Sequence, residues 1–580
     1  MAIVFGYDAS GNGNNWTANN LSNTAGVGND SLTDTPTSYG TDTGVGGEVR
    51  GNYCTLNPLQ NRAADTFSDG NLRVVTSSSN YGTFTSTIAI PTTGKWYCEA
   101  TIVATASYPA VGIVAIDSNF TTTSWIGSLN GVAYYGNNGN KYVNAIGSSY
   151  GATYTTNDVI GIAYDADNAT ITFYKNNTSQ GSITGVTART YYFGGSEFDV
   201  ASGTQVWNFG QRAFAYTAPS GFQALVTTNL PTPTIGATST TQAGKYMNVV
   251  LWTGNGSTQS ITSVGFQPDL VWTKDRGAAF DHTWFDAVRG ATKFLRSNST
   301  SAEETQSDSL TSFNSNGFSV GADAVRNNIN KSGASYVSWN WNAGGSTVTN
   351  TSGTISAQVR ASTTSGFSIV TYTGNGSANQ TVGHGLGVAP VFGILKDRDT
   401  NSNNNQWHVF ATAYGDYYGY LSATNAFAAT AEFYPTSGSS TTVTIGRSSP
   451  VANSNESGDN YVMYLFTPVA GYSTFGSYTG NGSTDGPFVF LGFRPRFIMI
   501  KASSSTGDWV MEDVARSPYN VSTNYLVANA STAEQTGQLI DFVSNGFKIR
   551  VAVSGAMNSS GVTYIYAAFA ENPFKYSLAR

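Results

Sequence analysis

Charge is the first thing this chain is short of. Across 580 residues, Asp, Glu, Lys and Arg make up only 11%, against about a quarter in an average globular domain. The net charge is -7, and no run of basic residues occurs. Nucleic-acid binding relies on clustered Lys and Arg, so that class of partner is excluded. Cysteine is nearly missing as well: Cys54 and Cys98 allow one optional bridge and no disulfide framework. The three histidines, His282, His384 and His408, stand in unrelated settings with no HExxH or His-x-x-His spacing. No metal and no cofactor are expected from them. No apolar run approaches the roughly 18 residues of a membrane span. The first residues, MAIVFGYDASGNGNNW, lack a basic stretch followed by an apolar core, so no secretory signal is expected. A soluble protein made in a cytoplasm is the expectation, acting outside one only after release by lysis.

Hydrophobic residues make up 40% of the chain and aromatics 13%, which is enough for packed cores and too much for disorder. The length exceeds what one core serves, so several domains are expected. Helical periodicity is almost absent. Short alternating runs recur instead, among them TIVATASY, VIGIAYD, ATITFYKN, DLVWTKD and FIMIKAS, separated by Gly, Asn, Ser and Thr. That pattern predicts an all-β chain of antiparallel sandwiches.

Residues 1–65 are weakly patterned and read as an extended arm for docking on a partner. Regular strands occupy 66–228, and the Pro-containing stretch 229–243 reads as a linker. Three related β-segments are then expected at 244–348, 349–473 and 474–580, offset by roughly 110 residues. Each begins near the phrase TGNGS, at Thr253, Thr373 and Thr479. In each, a Gly-Phe or Gly-Leu-Gly turn then leads into a strand, a tryptophan (Trp284, Trp407, Trp509), a glutamate (Glu303, Glu432, Glu534) and a closing aromatic strand. A repeat of this length is a whole sandwich rather than a solenoid unit.

Two resemblances go further. The segments TTGKWYCEATI (92–102), VGIVAID (111–117), DVIGIAYDADNATITFYKNNTSQG (158–181) and WNFGQRAFAYTAPSGFQAL (207–225) resemble a SPRY (B30.2-like) domain. The resemblance implies a bent antiparallel sandwich that serves binding and brings no catalytic residues. The whole chain is similar to tail-fibre and other appendage proteins of marine tailed phages. The residues that carry this are DASGNGNNWTANNLS, DSLTDTPTSYGTDTGVGGEVRGNYCTLNPL, the TGNGS segments and the ending AFAENPF. What it implies is a virion protein, a homotrimer, partnered by other virion proteins and by a host cell-surface glycan or protein. In such proteins a lectin-like sandwich often precedes the first of these phrases. Only seven residues precede Asp8 here, so no glycan-binding sandwich carries over.

The candidate sites resolve mostly toward structure. TGNGS lacks the following helix and the adjacent Lys of a phosphate loop. Asn255, Asn375 and Asn481 fit a glycosylation sequon, but a turn rich in positive φ explains the same residues. Asp8, Ser10, Asn12 and Gly13 resemble the start of a calcium loop, yet Asn19 replaces its bidentate Glu. No GxSxG elbow occurs. Glu303, Glu432 and Glu534 recur in all three segments, which favours a structural role over a specialised catalytic pair. Asp275–Arg276 and Asp397–Arg398 are expected at the surface or paired within a segment. No catalytic residue is therefore expected. The receptor-contact candidates are Tyr414, Tyr417, Tyr418 and Tyr420 in AYGDYYGY, and Tyr134 and Tyr135 in VAYYGNNGNKY. Tyrosine there offers rigid amphipathic contact area. The expected function is a non-catalytic tail fibre or host-receptor-binding appendage on the virion. The alternatives are a capsid decoration or head-fibre protein and, as an enzyme, a glycan-degrading tailspike.

Overall fold

Short strands carry almost all the regular structure in the computed structural model, and only four single-turn 3-10 helices interrupt them among the described residues. The structure describes residues 17, 52–60, 65–76, 82–104, 109–120, 124–197, 203–236, 240–323, 328–399, 405–415, 417–429, 438–445, 454–552 and 555–571. The fold is all-β, as expected, in two units: residues 1–232 with 574–580, and residues 233–573. No described helix is long and apolar enough to cross a membrane.

The first unit is a two-sheet sandwich. One sheet is built around Lys95–Ala104, Val159–Asp165, Thr170–Lys175 and Thr204–Asn208. The other runs Thr83–Thr85, Tyr191–Ser196, Ala110–Ala115, Gly131–Tyr135, Asn140–Val143, Ile146–Ser149. Their facing residues, Ile113, Val132, Tyr134, Ile162, Phe173, Phe193 and Trp207 among them, form one core. Part of the stretch expected as an extended docking arm belongs to this core: Cys54 and Leu56 are fully buried. The Cys54 N–H donates to the Leu225 carbonyl at 3.0 Å, and the Asn57 N–H to that of Thr85 at 2.8 Å. Both cysteines are free and buried. Tyr97, beside Cys98, pairs with Ala224, so the segment 223–225 runs between the two cysteine-bearing stretches. The calcium-loop candidates Asp8, Ser10, Asn12, Gly13 and Asn19 lie outside the described residues.

The second unit contains three sheets with one strand order. Met247–Thr253, Ser335–Trp341, Leu270–Asp275 and Thr283–Asp286 lie side by side in the first. Phe367–Thr373, Asn460–Phe466, Phe392–Asp397 and Trp407–Ala411 do so in the second, and Ser473–Thr479, Thr563–Ala570, Pro495–Ala502 and Trp509–Asp513 in the third. In each sheet the last three of these strands are buried on both faces. In the first sheet Val271, Phe285 and Phe294 pack on the small sheet that holds Phe318 and Val320. The alternate residues, Leu270, Trp272, Trp284, Trp339 and Trp341, meet their counterparts from the other two sheets in a single central core. Two-sided burial is why these runs read as nearly continuous apolar stretches. Ile235 and Ala243, within the stretch expected as a linker, are fully buried in the same core.

Each TGNGS phrase is a turn held by a buried asparagine from far along the chain. Asn330 accepts the N–H of Asn255 on its Oδ1 at 3.0 Å, and its Nδ2 donates back to Asn255 Oδ1 at 3.1 Å. Asn455 does the same for Asn375 at 2.9 Å in both directions, and the Asn558 Oδ1 takes the Asn481 N–H at 2.9 Å. Asn255, Asn375 and Asn481 each accept the N–H of the serine two residues on. The first glycine is required by close approach: a Cβ on Gly254 would lie 2.3 Å from the Lys331 carbonyl oxygen. The second, at φ 69–71° in all three copies, needs the left-handed region.

Candidate functional site

The second unit turns several of its charged residues inward, onto the lines where one sheet meets the next. Arg398 of the second sheet donates two hydrogen bonds to Glu303 of the first, both 2.9 Å. Glu303 also receives Arg289 Nη1 at 3.1 Å, and Arg289 pairs with Asp286 in full burial. Asp286 in turn accepts the Tyr464 hydroxyl of the second sheet at 2.8 Å. The chain repeats this between the first and third sheets. Arg276 grips Glu534 at 2.9 and 2.7 Å, Arg516 reaches Glu534 at 3.3 Å and Asp513 at 2.6 Å, and Asp513 accepts the Trp339 indole N–H at 3.1 Å. Burial alone would raise the Glu303 carboxyl, but the guanidinium groups of Arg398 and Arg289 hold it below its ordinary value. Arg276 and Arg398 are therefore neither surface groups nor partners of the aspartates before them. They clasp neighbouring sheets, while Asp275 and Asp397 are buried.

The third junction, between the second and third sheets, keeps the backbone contact and, among the described residues, lacks the arginine–carboxylate clasp. The Phe427 N–H donates to the Ser503 carbonyl at 2.8 Å, as Glu303 does to Arg398 and Glu534 to Arg276. By strand register, Ala411 stands where Asp286 and Asp513 stand. Ala567 stands where Trp339 and Tyr464 stand. Tyr414, three residues after Ala411, takes the place of Arg289 and Arg516. Glu432 lies outside the described residues. Contacts thus run from first to third, third to second and second to first, closing a ring.

Lys274, Lys396 and Lys501 occupy one register position in the three sheets. Their amines sit among backbone carbonyls, for Lys501 those of Thr424 at 3.0 Å and Gly507 at 2.8 Å. Burial pulls each of the three down to about 8. The histidines are also buried. His282 Nδ1 accepts the Trp272 indole N–H at 2.9 Å, and burial, then the nearby Lys274 and Arg516, push His282 well below its ordinary value. His384 Nδ1 accepts the Leu386 N–H at 3.1 Å. Lys396 and Lys501 reach across a junction, to the carbonyls of Thr300 and Thr424, whereas Lys274, His282 and His384 bond within their own segments.

The aromatic candidates divide. Tyr134 and Tyr418 are buried and belong to cores, so neither offers a contact surface. Strand alternation turns both side chains to the inner face, contrary to the expectation of receptor contact. Tyr420 is half-buried, with its ring 5.2 Å from that of His408, and its carbonyl accepts the Trp509 indole N–H at 2.8 Å. Tyr417 is 40% exposed and lies 4.9 Å from the half-buried Tyr414 ring, which also touches Phe427. Tyr135 is half-buried in the first unit and stands in a cluster that the sequence did not disclose. Its ring lies 5.3 Å from Trp125 and 6.1 Å from Tyr142, and Trp125 and Tyr142 are 4.7 Å apart. Tyr142 falls in the Tyr-rich stretch already singled out. Trp125 sits in a Ser/Thr-rich loop with no periodic pattern to mark it.

The family described as Domain of unknown function (DUF7483) matches residues 242–573, and the SPRY domain matches residues 95–196. Among solved structures, a human SPRY domain is 17% identical over 26% of this chain and 96% of its own, with a TM-score of 0.21. The SPRY domain of human HERC1 is 18% identical over 27% of this chain and 99% of its own, at 0.23. The TRIM65 PSpry domain is 12% identical over 27% and 91%, at 0.22. No curated protein matches the chain.

Proposed function

We propose that this chain, which belongs to the DUF7483 family and carries a SPRY domain at residues 95–196, is a non-catalytic surface appendage of a tailed-phage virion. In this reading its second unit is one β-module used three times, and the first unit meets the host. The observation that carries it is the closed ring. The charged clusters described in residues 233–573 tie sheet to sheet instead of facing a cleft, which suits a rigid support better than a catalyst. The SPRY sandwich adds a module of a class that binds. The partners are other virion proteins at one end and a host cell-surface glycan or protein at the other. The tail-fibre reading expects gold-labelled antibody against the chain to decorate the tail of intact particles. Label spread over the capsid would replace the tail fibre with the decoration reading, and particles without label would overturn both. Release of reducing sugar from host polysaccharide by the purified chain would overturn the non-enzymatic part.

A further inference from the structure

We infer that the cluster of Trp125, Tyr135 and Tyr142 is a carbohydrate-binding platform for neutral glycans. The inference rests on the reading that the first unit meets the host, and it names the surface and the ligand class. The platform is built on the outer face of the six-stranded sheet. Gly112 pairs with Ala133, Ala133 with Tyr142, and Tyr142 with Gly147, so small residues alternate with one ring across four strands. Tyr135 follows Ala133 by two and shares its face. The short helix Ile126–Ser128 is fixed over this floor by the Ile126 N–H, which donates to Ser196 Oγ at 3.1 Å. Trp125, just before it, lies against Gly127, where a Cβ would come within 2.3 Å of the indole. The three rings are half-buried, so each is anchored at one side and open at another.

Three features select a sugar. The rings stand at 57°, 77° and 81° to one another, which offers apolar faces in several directions to the C–H faces of a pyranose. Neither the Trp125 indole N–H nor the Tyr142 hydroxyl has a hydrogen-bond partner among the described residues. A surface with apolar bodies and two unengaged polar tips suits a ligand that alternates C–H and O–H groups. The platform also carries no charge. Lys141, between Asn140 and Tyr142, points to the other face, where its amine lies 5.6 Å over the Tyr150 ring. Asp117 is paired with Arg189 at 2.9 Å. An acidic polysaccharide therefore finds no cation here, whereas a neutral one needs none.

The purified full chain on an array of neutral and acidic bacterial polysaccharides tests this. Retention of one or more neutral polysaccharides is expected, with Trp125→Ala weakening it at least tenfold and Tyr142→Phe, which keeps the ring and the fold, two- to fivefold. Tyr519→Ala, at an exposed ring of the second unit, should leave it unchanged. Loss of all neutral glycan binding by the wild type, capture of acidic glycans alone, or wild-type binding by Trp125→Ala would overturn the platform. Binding of host protein instead of glycan would also overturn it. The gold-labelling experiment is independent: labelled tails with no glycan retained would leave the appendage standing without this site. Glycan retained by a chain absent from particles would do the reverse.

Discussion

Single buried asparagines and lysines decide much of the second unit. Asn330 is fully buried, and besides Asn255 its Nδ2 serves the carbonyls of Ser257 and Gly321. Replacing it by Ala leaves those acceptors and the Asn255 N–H without their partner in a dry site, at a cost of about 2–4 kcal/mol. Calorimetry of Asn330→Ala should show the second unit's transition lowered, and Asn558→Ala should match it; an unchanged transition would remove the clamp from the account. The TGNGS phrase itself was legible as a turn. Its clamp was not: Asn330, Asn455 and Asn558 each open an Asn-x-Ser-Gly phrase before the closing aromatic strand, but only the fold brings that phrase to the turn. The lysines give a pH signature. With folded values near 8 for Lys274, Lys396 and Lys501 and an unfolded value of about 10.4, the unfolded chain binds more protons between those limits. Stability therefore rises from pH 8 toward 10. Above about 10 the buried phenols of Tyr372, Tyr464 and Tyr478, raised chiefly by burial, reverse the trend as their unfolded counterparts ionise. Denaturant melts across pH 7 to 11 should pass through a maximum, and a steady fall from pH 7 would contradict the assignment.

Strands and junctions hold the next level. Two junctions carry clasps of the same design and the third shows none among the described residues, so mutations in one sheet report on its neighbour. Arg289 is fully buried and faces Asp286, itself without exposure. Arg289→Leu strands that carboxylate and should cost about 3–5 kcal/mol. Arg398 is 17% exposed and Glu303 13%, and Glu303 keeps Arg289 when Arg398 is lost. Arg398→Ala should cost only about 1 kcal/mol. Equal losses for the two, by chemical unfolding of the second unit, would mean that the clasps are not layered in this way. Strand-level patterning was readable only in part: the runs look buried on both sides, but Trp407 and Trp509 share a register position that His282, and not the expected Trp284, holds in the first sheet. What could not be read was the second partner of each strand. A double-faced apolar run looks the same whether its far face meets its own sandwich or two neighbouring sheets. Glu303 and Glu534 recur in the sequence, but only the closed ring reveals that their arginines come from the adjacent sheet. Trp125 shows the opposite limit, since a lone aromatic in a Ser/Thr loop has no period at all.

At the scale of the molecule, the second unit sets three sheets of one strand order around a common core. A cavity lies where the three sheets converge, and its lining shows the symmetry and its defect. Leu270, Phe392 and Phe497 hold one register position around it, and Trp272, Ile394 and Met499 hold another. Ala567 also lines it, at the position that Trp339 and Tyr464 fill in the other two sheets. The void is thus the counterpart of the missing clasp: the third sheet supplies neither the donor nor the volume of the side chain that bears it. Homotrimers assemble by meeting this kind of packing between chains. Here the three inner faces are already covered within one polypeptide, so the trimer expected from the resemblance draws nothing from them. Filling the void tests the geometry directly. The cavity is wholly apolar in its lining, so Ala567→Val adds methyl groups where no polar atom is displaced. It should stabilise the second unit by roughly 0.5–1 kcal/mol. Trp339→Ala, which opens a second void and takes one donor from the buried Asp513 while leaving it Arg516, should cost about 3–5 kcal/mol. A destabilised Ala567→Val would mean that the sheets close more tightly around Ala567 than the shared register implies, and that the third junction is packed to a design of its own.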